Sequence, residues 1–128
     1  MLRRLFVTAA LAGAFHLPAT AQTPELRASI LVQSSPLAGF RYYDAGALWD
    51  EMKVGDALEL VREPGNPHDA NAVRVEWRGY QLGYVPRREN ADVARQIDRG
   101  NRVKARISRL QMSRSPSKRI EFEVYVDL

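Results

Sequence analysis

Two short runs of this sequence combine charged and aromatic side chains of the kind that contact ligands. The first run, residues 39–43, reads Gly-Phe-Arg-Tyr-Tyr, so that Arg41 lies between Phe40 and the pair Tyr42 and Tyr43. A guanidinium binds phosphate through paired hydrogen bonds, and a tyrosine ring stacks on a nucleic-acid base. A second interpretation is open, in which Phe40 and one tyrosine belong to the core and Arg41 makes a surface ion pair.

The second run is a turn-rich segment, residues 66–73, which reads Asn-Pro-His-Asp-Ala-Asn-Ala-Val. Asparagine and aspartate side chains cap their own turns, which gives Asn66, Asp69 and Asn71 a structural interpretation. A functional interpretation is also open. The Asp69 carboxylate can accept a hydrogen bond from a ligand hydroxyl, and the His68 ring can stack on a base.

The sequence lacks the motifs of the common enzyme classes. It contains no G-x-x-x-x-G-K-[ST] phosphate loop, no G-x-S-x-G nucleophile motif and no H-E-x-x-H zinc motif. It has no cysteine, and its two histidines are His16 and His68. Only His68 lies beyond the N-terminal apolar run. It is badly placed to form a triad with the adjacent Asp69, and one histidine is too few for a multi-histidine metal site. We therefore expect a protein that is not an enzyme and that uses no metal or other cofactor.

The N-terminal segment has the layout of a secretory signal peptide. Arg3 and Arg4 precede an apolar run over residues 5–17, and residues 19–21 read Ala-Thr-Ala, a small-residue cleavage site before Gln22. The apolar run is 13 residues long, whereas a membrane-spanning helix needs about 20. The alternatives are a retained anchor and a buried N-terminal helix.

This layout predicts a chain of three parts. They are a signal peptide over residues 1–21, a flexible leader over 22–27 and one folded domain over 28–128. We expect the mature protein to be a monomer that is exported to the periplasm or the cell exterior, with no stable membrane insertion. The domain has no cysteines for disulfides, but its length is sufficient for a hydrophobic core without them.

Alternating apolar residues and turn signals predict six strands and one main helix. The predicted strands cover residues 28–34, 57–63, 71–77, 80–85, 102–112 and 119–127, and the predicted helix covers 89–99. Arg78 and Gly79 form a predicted hairpin turn, and the change of alternation at Ser108 and Arg109 predicts a β-bulge. The expected fold class is mainly β: a small OB-like or SH3-like β-barrel of about six strands with one main α-helix.

Charge is unevenly distributed along the chain. The formal net charge is +4, and it falls to +2 without Arg3 and Arg4. Residues 87–119 hold eleven basic and three acidic side chains, whereas residues 22–86 hold six basic and nine acidic ones. Such a molecule can present one basic face to an anion. Alternatively, the arginines of residues 87–119 form an ordinary solvated surface.

Three segments together resemble the HIRAN domain family. They are residues 39–43, residues 54–75 with the sequence VGDALELVREPGNPHDANAVRV, and residues 82–86 with Leu-Gly-Tyr-Val-Pro. The Asn-Pro-x-Asp-x-Asn-Ala-Val run before a Gly-Tyr-Val-Pro strand is a fairly specific combination. The resemblance covers about residues 30–107 and also the last predicted strand, and it implies an OB-like β-barrel.

The resemblance also implies a binding mode. Family members that remodel DNA use this domain to bind single-stranded DNA and to capture its free 3′-hydroxyl end. By this resemblance, Arg41 and Tyr42, with Tyr43 beside them, fall at phosphate- and base-contacting positions. Asp69 falls at the position of a carboxylate that receives the 3′-hydroxyl.

Three further positions are carried over from the resemblance. His68 replaces an aromatic residue that is often tyrosine, and Tyr84 and Arg87 fall near a further base and backbone contact. The DNA-remodelling members also carry an ATP-driven translocase and often a zinc-binding RING module. Because this sequence has no P-loop and no cysteine, we expect neither activity here.

The sequence therefore predicts a stand-alone module that binds the 3′ ends of single-stranded DNA. The alternative is an exported binding module of another class, in which the same barrel holds a protein, peptide or envelope ligand.

Overall fold

The structure, a computed structural model, describes residues 28–128 and the isolated residue Gly13. Apart from Gly13, the predicted signal peptide lies outside the described residues, as do its cleavage site between Ala21 and Gln22 and the predicted leader.

Within residues 28–128, six strands form one antiparallel sheet, and a single α-helix packs against its core. The strands are β1 (Ser29–Pro36), β2 (Ala57–Arg62), β3 (Val73–Trp77), β4 (Tyr80–Tyr84), β5 (Val103–Leu110) and β6 (Ile120–Asp127), and helix α1 (Ala91–Asp98) lies between β4 and β5 in the chain. The strand order is β1-β6-β5-β2-β3-β4. These elements confirm the predicted mainly-β class with six strands and one main helix.

Strands β5 and β6 show how the sequence specifies the sheet. In β6 every second residue from Ile120 to Val126 is buried, as expected for a strand with one face on the core. In β5 the pairing register with β6 shifts between Ile107 and Arg109. This shift confirms the predicted bulge and returns the following Leu110 to the apolar cluster.

The β3–β4 connection is a tight two-residue turn. Arg78 and Gly79 have φ values of 48° and 83°, and positive φ at both positions matches the twist of the flanking strands. The Arg78 guanidinium lies 4.4 Å from the centre of the Trp77 ring. The predicted hairpin is confirmed.

Helix α1 is shorter than predicted. A 3₁₀ turn over Arg87–Glu89 replaces its expected start. The chain leaves the helix at Gly100, whose φ of 80° suits a glycine after a helix C-terminus. Val93 and Ala94 place one face of α1 in the core. Within the described residues, no helix has the length and apolar character needed to cross a membrane.

The hydrophobic core receives side chains from α1 and from every strand except β1. Its largest fully buried apolar members are Phe122, Leu37, Leu82, Ile107, Ile120, Val73, Val75, Val85, Val93 and Val124. Strand β1 is an edge strand whose Ile30, Leu31 and Val32 are 48%, 50% and 43% exposed. Its pairing register with β6 also shifts there, between Leu31 and Gln33.

The chain beyond β1 touches β4, which lies at the opposite end of the strand order. Ala38 and Tyr84 exchange two backbone hydrogen bonds of 2.9 Å and form an isolated bridge. Gly83 permits this approach, because a Cβ atom there would overlap the Ala38 carbonyl oxygen. The contact is one residue pair and not a strand ladder. The structure therefore shows a six-stranded sheet, without establishing the closed barrel that the sequence predicts.

Candidate functional site

A 3₁₀ turn that starts at Phe40 presents the first predicted ligand-contacting residues. Gly39 precedes it with a φ of 82°, and the Tyr42 N–H donates to the Gly39 carbonyl oxygen at 2.9 Å. Phe40 is buried and packs edge-on against Trp49, with ring centroids 5.9 Å apart. Arg41 is exposed, and Tyr42 is 82% exposed. Phe40 therefore belongs to the core, while Arg41 and Tyr42 remain accessible.

Tyr43 and Tyr84 come together although they lie on different elements. Their rings meet edge to face, with centroids 5.7 Å apart and planes inclined by 66°. Tyr43 is 38% exposed, and Tyr84 is half-buried at the end of β4. The contact joins the aromatic turn to the sheet directly beside the Ala38–Tyr84 bridge.

The loop over residues 66–72 uses its polar side chains as turn caps. The His68 N–H donates to Asn66 Oδ1, and the Asn71 N–H donates to Asp69 Oδ1, both at 2.9 Å. The other Asp69 oxygen accepts from Asn90 Nδ2 at 2.7 Å, and Asn90 is buried. The structural interpretation of Asn66 and Asp69 is therefore correct.

The same geometry leaves Asp69 able to bind. An ionised carboxylate has about four acceptor sites, and these two hydrogen bonds use one on each oxygen. Asp69 is partly exposed, and the neighbouring His68 is exposed. Asp69 therefore keeps unused acceptor positions on a partly exposed side chain.

Arg62, at the end of β2, ties this loop to helix α1. Its Nη1 donates to the carbonyl oxygens of Ala70 and Ala72, each at 3.0 Å. Its Nε and Nη2 donate to the two oxygens of Asp98 at 2.9 and 3.1 Å. The Arg62 hydrogen bond holds the pKa of Asp98 below its ordinary value. Sequence reasoning missed this arginine, because Asp98 lies on an element that no local pattern links to β2.

Glu63 joins the loop to the aromatic residues. Its Oε1 accepts from the Tyr84 hydroxyl at 2.8 Å and from Asn66 Nδ2 at 3.1 Å. Its Oε2 accepts from Arg74 Nη1 at 3.0 Å. Sequence reasoning missed Glu63 as well. The available signal was a charged residue that directly precedes a loop rich in capping side chains.

The structure connects several predicted site residues in two places, one around Tyr84 and one around Asn90. Tyr43 contacts Tyr84, and Glu63 connects Tyr84 to the turn that carries His68. Arg87 is exposed and lies in the 3₁₀ turn just before Asn90, the partner of Asp69.

Most of the chain matches a known protein family. A family model for the HIRAN domain matches residues 30–128, which is well over half of the chain. The chain belongs to the HIRAN domain family. The predicted resemblance is therefore confirmed, and it extends through β6. The HIRAN domain is a non-catalytic binding module that can also occur in enzymes.

Two solved structures share the fold of this HIRAN domain. A crystal structure of a protein from Lactobacillus plantarum has a TM-score of 0.68 and 29% sequence identity, covering 79% of this chain and 97% of that one. The crystal structure of the HIRAN domain of human HLTF has a TM-score of 0.52 and 21% identity, covering 77% of each chain. A search of curated proteins finds no match.

Part of the basic segment, residues 87–119, is neutralised within the sheet of this HIRAN domain. On β5 and β6, Lys104 pairs with Asp127 at 2.9 Å and Arg106 pairs with Glu123 at 3.1 Å. The adjacent strand therefore neutralises these two β5 cations. Arg87 lies apart from this paired face, at the start of the 3₁₀ turn before α1.

Among residues 28–128, no three histidine, cysteine, aspartate or glutamate side chains are grouped in a way that could hold a metal ion.

Tyr84 is the site residue with the most strongly altered proton affinity. Burial raises its pKa to about 12, and the hydrogen bond to Glu63 adds to the increase. An unperturbed tyrosine has a pKa of about 10, so folding favours the neutral phenol. The resulting contribution to stability is complete below pH 10 and is lost as the pH rises towards 12.

We therefore expect the free energy of unfolding to fall between pH 10 and pH 12 and Tyr84→Phe to flatten this fall. The measurement is urea unfolding at several pH values, with tyrosinate absorbance recorded in parallel. Tyr80→Phe is the matched control, because Tyr80 is 53% exposed at the β3–β4 turn. An unchanged pH dependence in Tyr84→Phe would contradict this account.

Proposed function

We propose that this HIRAN domain binds single-stranded DNA at its 3′ end. The observation that carries the proposal is the 3₁₀ turn at residues 40–42, where a buried phenylalanine anchors an exposed guanidinium and a ring that is 82% exposed. An accessible tyrosine next to an arginine suits a base and its phosphate. Tyr42 is the stacking platform and Arg41 is the phosphate contact.

The second half of the proposed site recognises the strand end. The Asp69 carboxylate accepts a hydrogen bond from the 3′-hydroxyl through an acceptor position that its two partners leave unused. His68 offers a ring for stacking, and Arg87 contacts the backbone. Tyr43 and Tyr84 support the base and hold the turn at residues 40–42 against the sheet.

The proposal includes the surroundings of the site. The sheet acts as an OB-like barrel, with the Ala38–Tyr84 bridge at its seam. After cleavage between Ala21 and Gln22, the exported protein works as a monomer without enzymatic activity, metal or other cofactor. Its ligand in that compartment is extracellular or incoming DNA.

Equilibrium binding of a fluorescent oligonucleotide at several salt concentrations tests this function. A site that neutralises two to three phosphates gives a slope of log K against log salt of about −1.4 to −2 for single strands. The same oligonucleotide in a blunt duplex should bind more weakly, because its bases are not free to stack on Tyr42. A slope steeper than about −5 would mean that the whole basic segment follows the DNA backbone.

The ion-paired face of β5 and β6 favours a second candidate. Because β6 acids neutralise Lys104 and Arg106, the domain has little excess positive charge for DNA. The candidate is an exported module that binds a protein, peptide or envelope ligand. Failure of the domain to bind either form of DNA would make it the better account.

A further inference from the structure

We infer that Glu63 is a positioning residue, which sets the distance between the two halves of the DNA-end site. The inference rests on the proposed function, because it concerns how that site is assembled. One carboxylate receives the Tyr84 hydroxyl at 2.8 Å, Asn66 Nδ2 at 3.1 Å and Arg74 Nη1 at 3.0 Å. These three donors belong to β4, to the loop over 66–72 and to β3.

The Glu63 carboxylate is itself held in place. Its side chain is 22% exposed, and its partner Arg74 is also fixed by Glu76, with an Nη2–Oε1 distance of 3.0 Å. Glu63 is therefore held by Arg74 of β3 through one oxygen and by Tyr84 and Asn66 through the other. All three of its contacts require an acceptor. Glutamine would direct its N–H₂ group either at Arg74 or at the Tyr84 and Asn66 donors, so only a carboxylate can accept from all three.

The Glu63 contacts with Asn66 and Tyr84 each lead to proposed ligand-binding residues. Asn66 Oδ1 accepts the His68 N–H at 2.9 Å, so the orientation of the Asn66 amide sets the turn that carries His68 and Asp69. The Tyr84 ring packs on Tyr43, the residue that follows Tyr42. The position of the loop over residues 66–72 relative to the Tyr42 ring therefore depends on Glu63.

The neighbouring Arg62 separates this positioning role from a general role in folding. Arg62 binds two backbone carbonyl oxygens of the same loop and, at the same time, the Asp98 carboxylate of α1. These contacts do not involve Glu63. Replacing Glu63 should therefore leave the loop folded and attached to α1, while its alignment with the aromatic turn is lost.

The test compares Glu63→Gln with Glu59→Gln, a matched change at an exposed position of β2. Two oligonucleotides that differ only in a 3′-hydroxyl or a 3′-phosphate are titrated by fluorescence anisotropy. For the wild type and Glu59→Gln we expect a hydroxyl preference of about tenfold, the size of one hydrogen bond to a charged group. For Glu63→Gln we expect about threefold or less, with the melting temperature recorded to confirm folding.

An independent readout follows the hydrogen bond itself. The Tyr84 phenol, observed by NMR with ¹³C-labelled tyrosine, should titrate closer to the ordinary tyrosine pKa in Glu63→Gln and remain unchanged in Glu59→Gln. An unchanged hydroxyl preference in a folded Glu63→Gln variant would overturn the inference while leaving the proposed function intact. No binding of either oligonucleotide by the wild type would overturn the proposed function, and the positioning role with it.

Discussion

Gly83→Ala is expected to destabilise the protein by about 3 kcal/mol or more, the upper end of the cost of overpacking a core. The added Cβ atom would overlap the Ala38 carbonyl oxygen and lie 3.1 Å from Cγ and Cδ1 of Leu37. Leu37 is buried, and the Ala38 oxygen accepts the Tyr84 N–H. Neither neighbour can yield without breaking the bridge or opening the core.

Urea unfolding measures this loss, and Gly65→Ala is the control. A Cβ atom at Gly65 meets nothing within 4 Å, so we expect a change within about 0.5 kcal/mol of wild type, as for an ordinary surface substitution. If Gly83→Ala were as stable as Gly65→Ala, the close approach of β4 to the chain after β1 would be wrong. The support for the aromatic turn would then be wrong as well.

Tyr42→Ala is expected to weaken single-stranded DNA binding by about 1–3 kcal/mol, or roughly 5- to 150-fold. Stacking on a base does not depend on the group at the strand end, so 3′-hydroxyl and 3′-phosphate oligonucleotides should lose affinity equally. Stability should change little, because the ring is 82% exposed.

Tyr80→Ala is the matched control for Tyr42, since it removes another exposed tyrosine at the β3–β4 turn. Anisotropy titrations of both variants should show the loss in Tyr42→Ala alone. Equal affinities of the two variants would exclude Tyr42 as the stacking platform. A loss confined to one oligonucleotide would instead assign Tyr42 to recognition of the strand end.

Features that depend on neighbouring residues could be predicted from the sequence. The β6 alternation, the bulge at Ser108 and Arg109 and the Arg78-Gly79 turn each follow from local side-chain size, polarity or backbone freedom. Helix α1 was predicted too long. It was predicted over residues 89–99 and covers Ala91–Asp98, because Glu89 belongs to the preceding 3₁₀ turn.

Contacts between distant residues could not be predicted in this way. The Glu63–Tyr84 and Asp69–Asn90 hydrogen bonds each join residues 21 positions apart, and Arg62 and Asp98 are 36 apart. No periodic pattern links such positions, and only the folded topology brings them together. The sequence therefore identified candidate ligand-contacting residues but missed Arg62, the last residue of β2, and Glu63, which follows it.

The distribution of charge on the folded surface could not be predicted from the sequence either. A run of basic residues in the sequence reveals nothing about its spatial neighbours. The pairing of β5 with β6 places Arg106 opposite Glu123 and thereby neutralises part of the run. Electrostatic attraction of DNA then depends on cations outside that pair of strands, among them Arg41 and Arg87, which are both exposed.

The most direct test of DNA-end recognition is anisotropy with two oligonucleotides that differ only at the 3′ end. Asp69 can accept a hydroxyl proton but repels a phosphate, so the wild type should prefer the 3′-hydroxyl by about tenfold or more. Asp69→Ala, checked for folding by circular dichroism, should remove most of this preference. Equal binding of the two ends by the wild type would contradict the account and leave Asp69 as a turn cap only. Binding of neither end at high micromolar protein would contradict it entirely and favour the protein, peptide or envelope ligand.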